Sequence, residues 1–229
     1  MTKAARQADD QEAQAESTVF VVDDDADVRR SLRWMLCKAG LSVETYASAE
    51  DFLDSYFADR AGCVVADVRM PGIDGLALQQ QISQRGWTIP IIIITGHGDV
   101  PMAVQAMRDG AIDFIEKPFE RQAMLERIHQ AIERDARSRR QHRTRRSAAA
   151  RVAELSSRER QVMHLMVRGA LTKQIARQLN LSARTVEKHR EHVMEKMEAD
   201  SLAELVLLGV QSGIFEAGGG GRWQLGVRS

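Results

Sequence analysis

The sequence has little of what secreted, membrane-bound or metal-scaffolded proteins depend on. It has two cysteines, Cys37 and Cys63, in 229 residues. Neither stands in a metal-ligand spacing or a paired framework, so both read as reduced, packed thiols and a disulfide scaffold is excluded. No apolar run approaches the roughly 20 residues that a membrane-spanning helix requires. The first stretch, MTKAARQADDQEAQAEST, is polar and partly acidic, without the apolar centre of a secretory signal. No internal repeat is visible. The expectation is a cytoplasmic protein with no membrane partner.

At this length the chain is long for one domain and comfortable for two. Its 44% hydrophobic and 28% charged residues are ordinary for a globular protein. The net charge of zero hides an asymmetry: residues 1–135 hold 14 Lys/Arg against 23 Asp/Glu, and residues 136–229 hold 18 against 9. Halves of opposite charge suggest two tasks, one of them on an anionic polymer.

From residue 18 short apolar runs alternate with amphipathic stretches: TVFVV (18–22), LSVETY (41–46), CVVA (63–66), PIIIIT (90–95) and AIDFI (111–115). Between them lie helical patterns such as VRRSLRWMLCKAG, with Leu32, Met35 and Leu36 at helical spacing and Gly40 as a stop. Five strands alternating with helices predict an α/β doubly wound parallel sheet. Its last helix is expected over about 120–134. Residues 155–213 read as helical throughout, with capping-box patterns at Ser156/Glu159 and Ser201/Glu204 and stops at Gly169 and Asn180. The divisions are a disordered tail over 1–17, an α/β domain over 18–134, an Arg-rich linker over 135–151 that could extend the preceding helix, an all-α domain over 152–213, and a Gly-rich flexible tail over 214–229.

Polar residues of the first domain gather at strand ends. Asp23, Asp24 and Asp25 follow the first run, Asp67 the third, Thr95 closes the fourth, and Lys117 comes just after the fifth. Parallel strands bring these ends to one edge, where open α/β sheets bind ligands. Several carboxylates sharing a small volume need a cation, and hard oxygen donors with an open coordination sphere suit Mg²⁺. A calcium-loop reading of DDDAD fails, because its sixth position is Val28 and its twelfth Trp34.

VVDDD, VVADVRMPGIDG, IIIITGHGDVPMAV and DFIEKPF resemble the receiver domain of response regulators over about residues 18–134, a CheY-like, flavodoxin-like fold, and TGHGDVPMAVQAMRDGAIDFIEKPF resembles the FixJ branch. The resemblance implies that Asp67 is the phosphoacceptor. It implies that Asp23, Asp24, Asp67 and the backbone carbonyl of Arg69 hold Mg²⁺, that Lys117 pairs with a phosphoryl oxygen, and that Thr95 and Phe114 form the switch. Asp25 is given no essential role. Pro118 stands where the family commonly has a cis peptide. Phe114 is equally readable as a core residue from its surroundings alone.

TKQIARQLNLSARTVEKHREHVMEKM (172–197) reads as two helices joined by a tight turn. Ile175, Ala176 and Leu179 face inward on the first helix, as do Val186, Val193 and Met197 on the second, with Leu181 in the turn and Ser182 as N-cap. With its flanks the segment resembles the LuxR-type four-helix domain over about 152–213, whose helix 183–197 reads DNA. Lys188 is the candidate for a direct base or phosphate contact, Glu187 and Glu191 read either as acceptors for cytosine amino groups or as excluders of wrong sequences, and Lys173, Arg177, Arg184 and Thr185 are the candidate phosphate contacts. Leu205 and Val206, in SLAELVLLGVQSG, are the candidate dimer contacts. His189 and His192 read as packed or phosphate-touching.

The function implied is a two-component response regulator. A sensor histidine kinase phosphorylates it, a homodimer forms, and promoter DNA is bound with RNA polymerase as a further partner. The only catalysis expected is on its own aspartyl phosphate. Two rivals are an Mg²⁺-dependent aspartyl-phosphate hydrolase, whose nucleophile motif fails at Asp27, and a receiver acting only through protein contacts. The arginine run over 134–146 reads either as a soluble helix extension or as a strip along the DNA backbone.

Overall fold

A computed structural model describes residues 17–58, 60–96 and 100–213. The expected tails, residue 17 apart, and the residues just beyond Gly96 lie outside the described residues. The chain divides into two compact units, Met1–Arg139 and Arg140–Ser229.

The first unit alternates β1 (Thr18–Val22), α1 (Ala26–Lys38), β2 (Ser42–Tyr46), α2 (Ala49–Ser55), β3 (Gly62–Asp67), α3 (Gly75–Gln84), β4 (Ile91–Thr95), α4 (Val100–Arg108) and β5 (Asp113–Glu116), and ends on α5 (Arg121–Ala153). The strands are parallel in the order β2-β1-β3-β4-β5. Their side chains alternate between two apolar clusters. Phe20, Val64, Ile91 and Ile93 pack against α2, α3 and α4, whereas Val19, Val65, Ile92 and Ile94 pack against α1 and α5. Both faces are covered, which is why the central strands read as unbroken apolar runs. Cys63 is fully buried among them, and burial pushes its thiol pKa up.

Two expectations shift. The fifth strand begins at Asp113, because the Ala111 amide bonds back to Ala106 O at 3.0 Å and closes the end of α4. The last helix continues from 134 to Ala153, so the expected linker over 135–151 is helical. Its course past the sheet is fixed by Asp135, 1% exposed, whose Oδ2 accepts from Gly62 N at 3.0 Å and Arg139 Nε at 2.7 Å. Arg139 donates in turn to Arg60 O. Beyond it, alanine and arginine are good helix formers, and no Gly or Pro interrupts them before residue 154.

The second unit holds the end of α5 with α6 (Ser157–Val167), α7 (Thr172–Leu179), α8 (Ala183–Met197) and α9 (Leu202–Gln211) around Val162, Met166, Ile175, Val186, Val193, Met197 and Leu205. Ser156 and Glu159 form the complete capping box. At α9 half of it forms: Ser201 Oγ accepts from Glu204 N at 3.2 Å, while the Glu204 carboxylate turns to Asp200 N at 3.0 Å. Asn180 ends α7 at φ +54°, and Gly169 follows α6 at φ +77°. Glu159 also ties helices together. Its Oε2 accepts from Lys196 Nζ at 2.7 Å and Ser156 N at 2.8 Å, and its Oε1 lies 3.5 Å from His192 Nδ1. The Lys196 hydrogen bond first, and the Ser156 amide second, bring its pKa down to about 2.

Gly62 has φ +142°, and a Cβ there would lie 1.8 Å from Thr18 O. Gly62→Ala should therefore destabilise the first unit by about 3 kcal/mol or more, read as loss of amide-exchange protection in β1 and β3. Glu159 has an ordinary value of 4.5 and a folded value of about 2, so its stabilisation is complete above 4.5 and lost as pH falls through about 2. Glu159→Gln should cost the second unit about 2–3 kcal/mol at neutral pH. Exchange protection of α6 and α8 in that variant should change less than in the wild type as pH falls across this range.

Candidate functional site

The carboxyl edge of the sheet gathers the strand-end residues. Asp23, 1% exposed, follows β1, and Asp67 ends β3 in the neighbouring position of the sheet. Lys117 follows β5 and donates its amide to Thr95 O, at the end of β4, at 2.7 Å. Its side chain crosses the strand ends: Nζ lies 2.8 Å from Asp23 Oδ2 and 2.6 Å from Asp67 Oδ1. The remaining oxygens are held by amides, Asp23 Oδ1 by Asp25 N at 2.9 Å and Asp67 Oδ2 by Arg69 N at 2.8 Å. The Lys117–Pro118 peptide beyond is cis.

Burial raises the Asp23 pKa, with the Lys117 hydrogen bond and the Asp25 amide working against it. For Lys117, burial disfavours the ammonium, but hydrogen bonds and attraction to Asp23 and Asp67 outweigh burial and raise its pKa. With both carboxylates ionised, two negative charges share one positive charge, and exposed Asp24 adds another beside them. Among the described residues no group of three or more Asp, Glu, His or Cys forms an all-protein metal cage. This donor set fits Mg²⁺ nonetheless: that ion takes one or two carboxylates and keeps much of its water, leaving room for phosphate oxygens.

The structure therefore brings Asp23, Asp67, Lys117, Thr95 and the Arg69 backbone together and leaves Asp24 on the solvent side. Phe114 is half-buried against the cluster of Phe20, Leu78 and Ala106. Sequence reasoning missed two residues. Asp25 is the N-cap of α1, its Oδ1 accepting from Asp27 N at 2.8 Å and Val28 N at 3.4 Å; an aspartate before a helical run was the available signal. Glu50 Oε1 accepts from Ile73 N at 3.0 Å and steadies the turn after Asp67, a long-range contact with no local spacing to announce it. Gly75 lets α3 start against the phosphoacceptor candidate, since a Cβ there would lie 2.2 Å from Asp67 O.

In the second unit, Lys173 and Arg177 on α7 and Arg184, Thr185, Glu187, Lys188 and Glu191 on α8 are all exposed. Ser182 caps α8 through Thr185 N at 3.1 Å and lies 2.8 Å from the Thr185 hydroxyl. Val186, Val193 and Met197 are fully buried on the opposite face, so α8 presents a polar surface from an apolar seat. His189 and His192 are half-buried on the same helix. One expectation is corrected: Leu205 is 0% exposed in the core and cannot meet a second subunit. Leu205 belongs to the core cluster that also holds Met197 and Val162, while Leu202 and Leu207 are 43% and 56% exposed and Val206 is half-buried.

Comparison with known proteins agrees with this arrangement. The family model of the response regulator receiver domain matches residues 19–129, and that of bacterial regulatory proteins of the luxR family matches residues 153–208. Transcriptional regulatory protein FixJ of Bradyrhizobium diazoefficiens is 46% identical over 197 residues, covering 86% of this chain and 96% of that protein. Nodulation protein W of the same organism is 44% identical over 203 residues, 89% of each. Among solved structures, the response regulator StyR superposes with a TM-score of 0.79 at 45% identity, covering 84% of this chain and 98% of that one. Full-length FixJ from B. japonicum gives 0.54 at 45% identity, covering 88% and 99%. Such proteins are regulators rather than enzymes acting on a separate substrate, which sets the hydrolase alternative aside. With a receiver domain followed by a luxR-family DNA-binding domain, the chain belongs to the FixJ-like response regulators of two-component transcriptional control.

Proposed function

We propose that Asp67 accepts a phosphoryl group from a sensor histidine kinase, and that this modification promotes dimerisation and sequence-specific binding of promoter DNA, where the protein meets RNA polymerase. The observation that carries this reading is the Lys117 ammonium shared between Asp67, at 2.6 Å, and Asp23, at 2.8 Å. A carboxylate oxygen of Asp67 attacks phosphorus; the bond from phosphorus to the kinase imidazole nitrogen breaks, and that nitrogen keeps the electron pair. Asp67 loses its carboxylate charge in becoming an acyl phosphate, so Lys117 turns its charge to a phosphoryl oxygen. Receiver domains of this family generally bind Mg²⁺ at the acidic pocket, and Asp23, Asp24, Asp67 and the Arg69 carbonyl would hold it here; bound there, it neutralises charge on the phosphoryl oxygens.

Thr95, 1% exposed at the end of β4, donates its hydroxyl to the phosphoryl group, and Phe114 packs further inward as Thr95 moves. That movement reorders the face built from α4, β5 and α5. On α4, Val100, Val104 and Met107 are 77%, 43% and 47% exposed, an apolar surface that a second subunit would cover. Dimerisation is then a population shift toward the state in which this face is competent to pair. In the second unit, Lys188, Glu187 and Glu191 read bases while Lys173, Arg177, Arg184 and Thr185 fix register on phosphates. Leu202 and Leu207 replace Leu205 as candidate dimer contacts beside Val206.

Asp67→Asn keeps the side-chain shape and removes the nucleophile. Labelling by radioactive acetyl phosphate with Mg²⁺ should vanish in this variant, together with the phosphorylation-dependent rise in sedimentation coefficient; labelling that persists would assign the acceptor to another carboxylate. On an operator selected from a random DNA pool, Lys188→Ala should weaken binding by about 1–3 kcal/mol and relax preference at one base position. Arg177→Ala should lower affinity evenly across sequences and make the salt dependence shallower by about one unit of slope. Gel-shift titrations over a salt series separate the two behaviours.

A further inference from the structure

Three arginines of α5 in the second unit, Arg143, Arg145 and Arg146, are not accounted for by the fold. Between Asp135 and Glu154 the chain carries no acid. Asp135 is committed to Arg139 and Gly62, so it compensates nothing further along. Arg143, Arg145 and Arg146 are exposed, and no carboxylate among the described residues pairs with them. Arg143 and Arg146, three residues apart, are like charges on one face of the helix, an arrangement that weakens an isolated helix. A polyanion would turn this repulsion into attraction.

The segment is also tied to the recognition helix. Ala148 and Val152 are buried, at 1% and 6% exposure. Arg151 Nη1 donates to Met197 O at 3.2 Å and its guanidinium pairs with Glu198, at the C-terminal end of α8; Lys196 Nζ reaches Glu154 O at 3.4 Å. Arg146 precedes Arg151 by about 7.5 Å of helix rise. The 15-residue α8 is about 22 Å long, whereas the major groove is about 12 Å wide. Docked by its N-terminal residues, α8 would bring the turns of α5 anchored at its C-terminal end to the same duplex.

We infer that the α5 segment around Arg143, Arg145 and Arg146 is a second, sequence-independent DNA-binding surface that holds duplex phosphates beside the recognition helix. The inference rests on α8 being the DNA reader. Planar guanidinium groups suit phosphate oxygens, and each phosphate neutralised releases condensed counterions. The surface adds affinity that falls steeply with salt and leaves sequence preference alone.

The test uses the full-length chain and a fluorescein-labelled duplex of random sequence, titrated by anisotropy between about 50 and about 200 mM salt. The triple variant R143Q/R145Q/R146Q keeps comparable helix propensity. If each arginine neutralises one phosphate, its log–log slope should be shallower than wild type by about 2.7. Over that fourfold rise in salt the wild type then loses about 40-fold more affinity than the variant. R143K/R145K/R146K should restore most of the slope, because it restores the charge. An unchanged slope in the glutamine variant overturns the second surface and leaves the role of α8 standing. A lysine variant as shallow as the glutamine one overturns the charge assignment. If R184A/K188A keeps wild-type affinity for both the random duplex and a selected operator, the reading of α8 fails, and this inference fails with it.

Discussion

A single ammonium group holds two carboxylates at the carboxyl edge of the receiver sheet, and the geometry of the domain is arranged around that contact. Asp23 and Asp67 end adjacent parallel strands, so their backbones cannot separate without breaking the ladder between β1 and β3. Left alone, two ionised carboxylates in a site this buried would repel and one would take up a proton. Lys117 opposes that from the far side of β4, reaching both at hydrogen-bond distance. The order β2-β1-β3-β4-β5 makes the reach possible, since it places β3 between the strand of Asp23 and the strand of Thr95. A different strand order would leave the same residues in the sequence and disperse them in space.

The residues of this edge are therefore largely legible in the sequence. Asp23, Asp67, Thr95 and Lys117 each stand at the end of an apolar run, and parallel strands convert that position along the chain into proximity. Position along the chain says nothing, however, of depth. Asp24 sits in the same acidic run as Asp23 but is exposed while its neighbour is 1% exposed. Leu205 and Leu207 belong to one apolar helix, and only the packing against α6 and α8 decides that the first is core and the second surface. Glu50 was invisible for a further reason: its partner, the Ile73 amide, is 23 residues away and has no side-chain signature.

The end of the receiver shows how a local pattern can conceal continuity. Apolar periodicity stops near residue 134, which suggests that the helix stops there too. It does not, because a helix needs neither an apolar face nor a partner at every turn if its two ends are anchored. Asp135 and Arg139 bind one end to Gly62 and Arg60, while Ala148 and Val152 bury the other. The stretch between, 140–147, is polar on every side. Periodicity reports burial, and helix continuation depends on propensity and on the absence of Gly and Pro.

The two units place buried acids to opposite ends. Glu159, 5% exposed, accepts from Ser156 N and Lys196, and its pKa is brought down to about 2. It acts as a structural tie from the start of α6 to the end of α8. Asp23 is buried more completely yet has its pKa raised, because burial outweighs the help of Lys117 and the Asp25 amide. A site that leaves an acid under-compensated is costly to fold and is retained where something else supplies the missing charge. The excess negative charge around Asp23 and Asp67 is what the cation of the proposed function would offset. The saturated environment of Glu159 is the mark of a place that only holds the protein together. Composition counts these carboxylates alike, and only the number and kind of partners within hydrogen-bond reach tells them apart.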